Sequence, residues 1–212
     1  MRIDIAQNSS EWTAWRSTGI GGSDIGTILG INKYKSCEQL LKEKIGLTQP
    51  EDLSENQHII RGHKLEPEAR TYAQVMLDEI FEPMCFQHDK WTYLLSSLDG
   101  ISTCGKRALE IKCPAKKNHE MAAMGFLSAS YYAQCQHNMF VSGAEEIHFV
   151  SFNPKMENNY VSFPIYPNID FLYEYMPRVG DFWDAVLAKE IIEIQPLDFG
   201  GEYLNPQTGE LL

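Results

Sequence analysis

The sequence predicts a mixed α/β fold, and three observations carry that expectation. Residues 57–78, 118–142 and 170–190 bring apolar side chains round at helical spacing. Short runs that alternate apolar and polar residues, among them LEIKCP, EIHFVSF and YVSFPI, read as strands between helices. At 212 residues the chain is long enough to bury one sizeable core, so residues 1–212 are expected to form a single domain.

In chain order, Ser10-Glu11 reads as a helix cap, with Trp12, Trp15 and Arg16 following at helical spacing. Arg16 either lies over the tryptophans or reaches the next segment, Gly19-Ile20-Gly21-Gly22-Ser23-Asp24-Ile25-Gly26. There the glycines let backbone N–H groups converge, and Ser23 or Asp24 is a natural cap for a short helix. Such a start attracts anions; a tight turn with an ordinary cap has the same sequence signature. Residues 37–46 form a second helix ended by Gly46, and residues 50–56 an acidic, proline-containing loop. Within 57–78, Pro67 either starts a helix or kinks one, and Glu66 reads by composition as a solvated acid.

Residues 80–98 hold one or two strands leading to a hairpin. Residues 118–142 read as one long helix, with Tyr131, Gln134 and His137 on one approximate face. Strands at 146–152 and 160–165 flank the turn at Asn153-Pro154, and 170–190 is an amphipathic helix carrying Phe171, Tyr175, Phe182, Trp183 and Val186. The tail, 196–212, is irregular and either docks or frays.

No apolar run approaches the ~18 residues of a membrane span, and MRIDIAQNSSEW lacks the apolar stretch of a secretory signal, which predicts a cytoplasmic chain without membrane contact. Five cysteines, widely spaced and without a CxxC pair, fit a reducing compartment and oppose a zinc or iron–sulfur site. The net charge of −11 weighs mildly against nucleic acid, yet binding needs only a local basic strip. Lys33 with Lys35, Lys106 with Arg107, and Lys116 with Lys117 are the candidates.

The most informative stretch is LDGISTCGKRALEIKCP, residues 98–114. If Cys104-Gly105 is a two-residue hairpin loop, Thr103 faces Lys106 and Asp99 faces Glu110, with Cβ atoms roughly 5 Å apart. A three-residue loop would move Asp99 off Glu110. Two facing carboxylates repel unless a hard divalent cation lies between them. Lys112 shares the face of Glu110, and a cation held by two acids beside an ammonium is a hydrolytic centre in outline. D…ExK is short and common, and a surface hairpin carrying two acids and a lysine reads the same way.

The blocks WRSTGIGGSDIG, RGHKLEPEAR, SLDG, LEIKCP, YYAQCQHNMFVSG and HFVSFNPKM occur in order within a stretch from about Trp12 to Phe182. In these the chain resembles the lambda-exonuclease-type (YqaJ-like) viral recombinases of the PD-(D/E)xK nuclease superfamily. That resemblance implies a restriction-endonuclease-like core, a central mixed sheet flanked by helices. It implies Asp99, Glu110 and the Ile111 carbonyl as metal ligands, Lys112 positioning or activating the attacking water, and Glu66 and Gln134 assisting. Arg16 and Ser23 then form a pocket for a 5′-terminal phosphate, with Tyr131 near the DNA. The implied activity is Mg²⁺-dependent (Mn²⁺ substituting) removal of 5′ mononucleotides from linear double-stranded DNA, leaving a 3′ overhang. The implied partners are two further copies in a ring-shaped homotrimer and a single-strand annealing protein, in a phage or prophage setting. A structure-selective endonuclease would share the metal site without the phosphate pocket; a non-catalytic DNA-end-binding protein would tolerate losses among Asp99, Glu110 and Lys112.

Overall fold

The computed structural model describes residues 1–212. The chain opens with β1 (Arg2–Ile3), α1 (Ser10–Ser17), β2 (Ile20–Gly21), α2 (Gly22–Ile28) and α3 (Cys37–Lys44). It then runs through α4 (Gln57–Leu77) into β3 (Phe81–Gln87), β4 (Leu94–Ser102) and β5 (Arg107–Lys112). After α5 (Lys116–Ala123), β6 (Leu127–Ser128) and α6 (Ala129–Ser142) come β7 (Glu146–Phe152), β8 (Tyr160–Ile165), α7 (Ile169–Ala188) and β9 (Tyr203–Leu204). The main sheet has the order β1-β3-β4-β5-β7-β8, with β2 lying beside β4. β5–β7 and β2–β4 are parallel and the other pairs antiparallel, so the sheet is mixed, as expected.

Most of the core lies between one sheet face and α2, α6 and α7, where Ile25, Ile28, Leu94, Leu98, Ala133, Tyr175 and Phe182 are inaccessible. On the other face α4 lays Ala69 and Ala73 against Leu109, Ile111, Val150 and Phe152. β5 serves both layers because its side chains alternate: Ala108 and Glu110 point to the α6 side, Leu109 and Ile111 to the α4 side. Burying each large side chain contributes about 1.5–3 kcal/mol.

Short polar residues start the helices. Ser9, Ser36, Asn56, Ser128 and Asn168 each accept a hydrogen bond from an amide of the first turn. The first cap is therefore Ser9, one residue before the expected Ser10. α2 starts at neither Ser23 nor Asp24 but after Gly21, whose N–H donates to the Asp24 carboxylate at 3.1 Å. α4 runs unbroken through Pro67.

One expectation needs larger correction, and one open alternative is decided. The single helix over 118–142 is two, because Gly125 adopts φ 87° and Ser128 caps a new start. The tail docks: Leu197 N–H donates to the Leu29 carbonyl at 2.9 Å, and β9 pairs with β6. No helix is long and apolar enough to cross a membrane.

α2 and α6 touch backbone to side chain, and glycine makes this possible. A Cβ on Gly26 would lie 2.1 Å from Ser130 Oγ, and one on Gly22 would lie 2.5 Å from Asn138 Oδ1. Gly26→Ala is therefore expected to lower stability by about 1–3 kcal/mol in denaturant unfolding, and Ser130→Ala in the same chain should recover part of that loss.

Candidate active site

The hairpin carrying Asp99 and Glu110 keeps the expected register through a different turn. Gly100 pairs with Leu109 and Ile101 with Ala108, so counting outward sets Asp99 across from Glu110. Four residues, 103–106, form the loop, with Gly105 at φ 76°. The two extra residues add one to each strand end, which leaves every facing pair unchanged.

A β-bulge aims Asp99. β3 pairs Glu82 with Ile101 but Met84 with Leu98, so Asp99 and Gly100 together oppose Pro83 alone. Pro83 has no N–H to leave unpaired there. Leu98 already faces the α6 side, so strict alternation would send Asp99 to the α4 side; the extra residue turns it onto the face of Glu110.

Beyond Gly100–Leu109 the strands part, and β4 continues alongside β2 through Leu94 and Leu95. The N–H of Ile111, left without a ladder partner, donates to Asp99 Oδ2 at 2.6 Å. The N–H and C=O of one strand residue point the same way, so the Ile111 carbonyl opens into the same gap.

Glu110 is 1% exposed, and both of its oxygens are engaged. Oε1 pairs with Lys112 Nζ at 2.6 Å, and Oε2 accepts from Asn138 Nδ2 at 3.0 Å. Asn138 Oδ1 accepts in turn from Ser96 Oγ at 2.9 Å. Lys112 Nζ also sits 5.0 Å from the centre of the Tyr131 ring. On α4, Arg70 Nε donates to the Asp99 carbonyl at 2.6 Å while its Nη2 pairs with Glu66. Glu66 is thus tied through Arg70 to the backbone of the bulge.

A second group adjoins the first. Arg16 Nη2 donates to Ser23 Oγ at 2.7 Å while its guanidinium lies 4.8 Å from the Trp12 ring centre, so both readings of Arg16 hold at once. Lys44 Nζ lies 3.2 Å from Asp24. Burial works against the Asp24 charge, but Lys44 and Arg16 hold the carboxyl below its ordinary value. Gly22 packs this segment directly onto Gln134 and Asn138, the helix turn that contacts Glu110. Gln134 is half-buried and its amide makes no hydrogen bond within the chain.

Asn138, Ser96 and Arg70 were not singled out in the sequence. Asn138 lies four residues after Gln134 and Arg70 four after Glu66, so helical spacing from the candidates already chosen would have found both. His137, beside them, is structural, its ring bonded to the Leu95 carbonyl at 3.0 Å.

The candidate basic strips are largely neutralised. Lys33 pairs with Glu202, Lys35 with Glu43, Lys106 with Glu145, Arg107 with Glu79 and Glu146, and Lys116 with Glu120; Lys117 lies over the Tyr203 ring.

Burial, then the Glu110 carboxylate, pushes Asp99 well above its ordinary value, with Lys112 opposing. Burial disfavours the Lys112 ammonium, but Glu110 and Asp99 outweigh it and raise that group. Burial lifts the Cys113 thiol to about 11, with Arg61 and Lys112 opposing and Glu66 and Asp99 adding to the rise. The two carboxylates and the main-chain carbonyl offer hard oxygens only, the kind of donor that could hold Mg²⁺ or Mn²⁺. No group of three His, Cys, Asp or Glu side chains is gathered for a metal.

A mixed sheet with an acid pair at the fork of two strands and an ExK lysine beside it defines the PD-(D/E)xK nuclease-type fold. The chain belongs to the YqaJ-like viral recombinase domain family, whose model matches residues 11–145. It is 30% identical over 151 residues to the uncharacterized protein YqaJ of Bacillus subtilis, a match covering 66% of this chain and 46% of that protein. The chain thus spans less than half the length of that relative. A 41-residue stretch is 49% identical to protein D345L of African swine fever virus, covering 19% of this chain and 12% of that one. Among solved structures, the alkaline exonuclease LHK-Exo from Laribacter hongkongensis superposes with TM-score 0.75 at 25% identity, over 85% of this chain and 94% of that one. LHK-Exo also has a structure in complex with dAMP. A phage related exonuclease from Haemophilus somnus shares the fold, with TM-score 0.58 at 16% identity over 81% of this chain and 96% of that one.

Two stability outcomes follow from the geometry. Folding favours the neutral acid at Asp99, so with cations chelated the chain should lose stability as pH rises from about 4 through the higher folded-state value. Asp99→Asn should remove that loss, melting higher than the unmodified chain in EDTA at pH 7 but not at pH 3. Asn138→Ala leaves Glu110 Oε2 and the Ser96 hydroxyl unpaired and should cost about 1–3 kcal/mol; Ser96→Ala in the same chain should recover part, read by a double-mutant cycle.

Proposed function

We propose that residues 1–212 act as one nuclease domain that hydrolyses a strand of linear double-stranded DNA from a 5′-phosphorylated end, releasing 5′ mononucleotides and leaving a 3′ overhang. The observation that carries this reading is the meeting of Asp99, Glu110, the Ile111 carbonyl and Lys112 in the gap where β4 leaves β5. Membership in a viral recombinase family and likeness to an alkaline exonuclease support it.

Asp99, Glu110 and the Ile111 carbonyl would hold Mg²⁺, with Mn²⁺ substituting. That ion, when bound, supplies a Lewis acid for the phosphate and a more acidic water. Lys112 orients the attacking water and offsets the charge developing on the phosphate. Gln134, its amide free, accepts a hydrogen bond from the water at Oε1 or donates one from Nε2 to a phosphate oxygen. Glu66, steadied by Arg70, holds a further water by its carboxylate. Tyr131 packs beside the Lys112 ammonium and limits where it swings. Arg16 and Ser23 grip the 5′-terminal phosphate, and their contact with α6 through Gly21-Gly22 fixes its distance from the acid pair. The cut position is then set by geometry and not by base identity.

A ring-shaped homotrimer around the DNA, a single-strand annealing protein as partner and a cytoplasmic setting in a phage- or prophage-bearing host complete the proposal. They rest on the family resemblance. The intact acid pair and lysine favour an enzyme over a non-catalytic end-binding protein, and the Arg16–Ser23 pocket favours an exonuclease over an endonuclease.

Asp99→Asn and Lys112→Ala should each cut the rate by at least about 10²-fold while the chain stays folded by circular dichroism. Full activity in Asp99→Asn would contradict the assigned ligand. Arg16→Ala should slow digestion of 5′-phosphorylated linear duplex by about 10–100-fold and leave 5′-hydroxyl ends nearly unchanged. Equal losses on the two ends would place the pocket elsewhere, and cleavage of closed circles would favour the endonuclease reading.

A further inference from the structure

A groove of about 600 Å³ lies between the second half of α7 and the segment that follows it, and it shares no residue with the acid-pair site. Lys189 ends the helix at φ 56°, and the chain then runs back beside it. Glu190 N–H donates to the Ala185 carbonyl at 3.0 Å, and Arg178 Nε donates to the Gln195 carbonyl at 3.0 Å. Between these two anchors there is no helix, strand, turn or bend. The side chains alternate, with Ile191, Glu193 and Gln195 exposed and Ile192 and Ile194 half-buried against the core. That two-residue period is the mark of an extended strand. Yet none of the five N–H groups from Ile191 to Gln195 donates within the chain, and of their carbonyls only that of Gln195 accepts.

Extended main chain with unpaired donors and acceptors is a template for a further strand. The sides of the groove select what that strand carries. Asp181 and Asp184 line it from α7, and Glu190 and Glu193 from the segment. All four are exposed, and none forms an ion pair. Arg178 is the one cation among the lining residues, and it is already engaged with the Gln195 and Glu174 carbonyls. Four carboxylates repel the phosphates of a nucleic acid. A second copy of this chain pairing here would set the same acids against each other, and facing like charges destabilise a strand pair. A strand with cationic side chains meets both the free main chain and the acids.

We propose that Ile191–Gln195 is a docking edge for a partner protein, which adds an extended segment carrying lysine or arginine at alternate positions as a strand in the groove beside α7. Main-chain hydrogen bonds supply the pairing, and Asp181, Asp184, Glu190 and Glu193 select for the cationic side chains. This contact is independent of the nuclease reading, since it uses none of the residues assigned to that site.

The test is a titration of the isotope-labelled full-length chain, followed by amide NMR shifts and hydrogen exchange, with three short synthetic peptides. One alternates lysine and valine, one alternates glutamate and valine, and one is the lysine peptide N-methylated at every second residue. In the free chain the amides of 191–195 should exchange without protection, while that of Leu197 is protected. The lysine peptide should shift the 191–195 amides and slow their exchange by about tenfold or more. The N-methylated peptide should bind about tenfold more weakly, and the glutamate peptide should not bind. Asp184→Asn with Glu193→Gln should weaken the lysine peptide by about 3–10-fold and leave the melting temperature unchanged, since both side chains are exposed. Equal binding of the N-methylated peptide overturns the proposal, because the acids then act as a cation sink without strand pairing. No shift of these amides by the lysine peptide at a concentration on the order of millimolar also overturns it. Protection of 191–195 in the peptide-free chain, rising with chain concentration, overturns it in favour of a second copy. Shifts of the same amides by duplex DNA overturn it in favour of nucleic acid.

Discussion

Everything at this site depends on holding two carboxylates of like charge side by side in a partly dry gap. Left alone, Asp99 and Glu110 would push their strands apart, and burial would make the repulsion worse. The fold offsets this in several local ways. Lys112 and Asn138 each take one oxygen of Glu110, and the Ile111 N–H takes one of Asp99. Arg70 fixes the Asp99 backbone from the opposite layer. The negative charge left over between them is what a bound cation would offset under the proposed function.

The same gap explains the course of the sheet. β4 pairs with β5 at one end and with β2 at the other, and the bulge opposite Pro83 lies at the change of partner. A continuous ladder would bury the Ile111 N–H and C=O in strand pairing and close the space between the acids. The glycine-rich segment that supplies β2 also brings Gly22 against α6, so the Arg16–Ser23 pair and the acid pair are separated by a single helix turn. Distance between the two is therefore set by packing, which resists small displacement.

Much of this was legible in the residues, and the failures have physical causes. The hairpin register came from parity: one residue added to each side of the turn changes nothing, so a wrong loop length still placed Asp99 across from Glu110. Alternation alone would have sent Asp99 to the wrong face, because a bulge leaves almost no sequence mark; here it was Gly100 facing a proline in the neighbouring strand. The break within 118–142 was written as Gly125 followed by Ser128, but strong apolar periodicity on both sides concealed it. Pairs of basic residues looked like nucleic-acid strips because their acidic partners are distant in sequence: Glu202 for Lys33, Glu145 for Lys106, and Glu79 with Glu146 for Arg107. Composition reports charge, whereas only folding reports which charges are already spent. The contacts of Asn138, buried, and Arg70, partly buried, are long-range in the same way, joining α6 to β4 and β5, and α4 to β4.

The most direct examination of this account is an anomalous difference map from crystals of the chain grown with Mn²⁺. The account predicts a peak in the gap between β4 and β5, about 2 Å from carboxylate oxygens of Asp99 and Glu110 and from the Ile111 carbonyl. A map with no peak there, or with Mn²⁺ held by other residues while these three groups stay as they are, would contradict it.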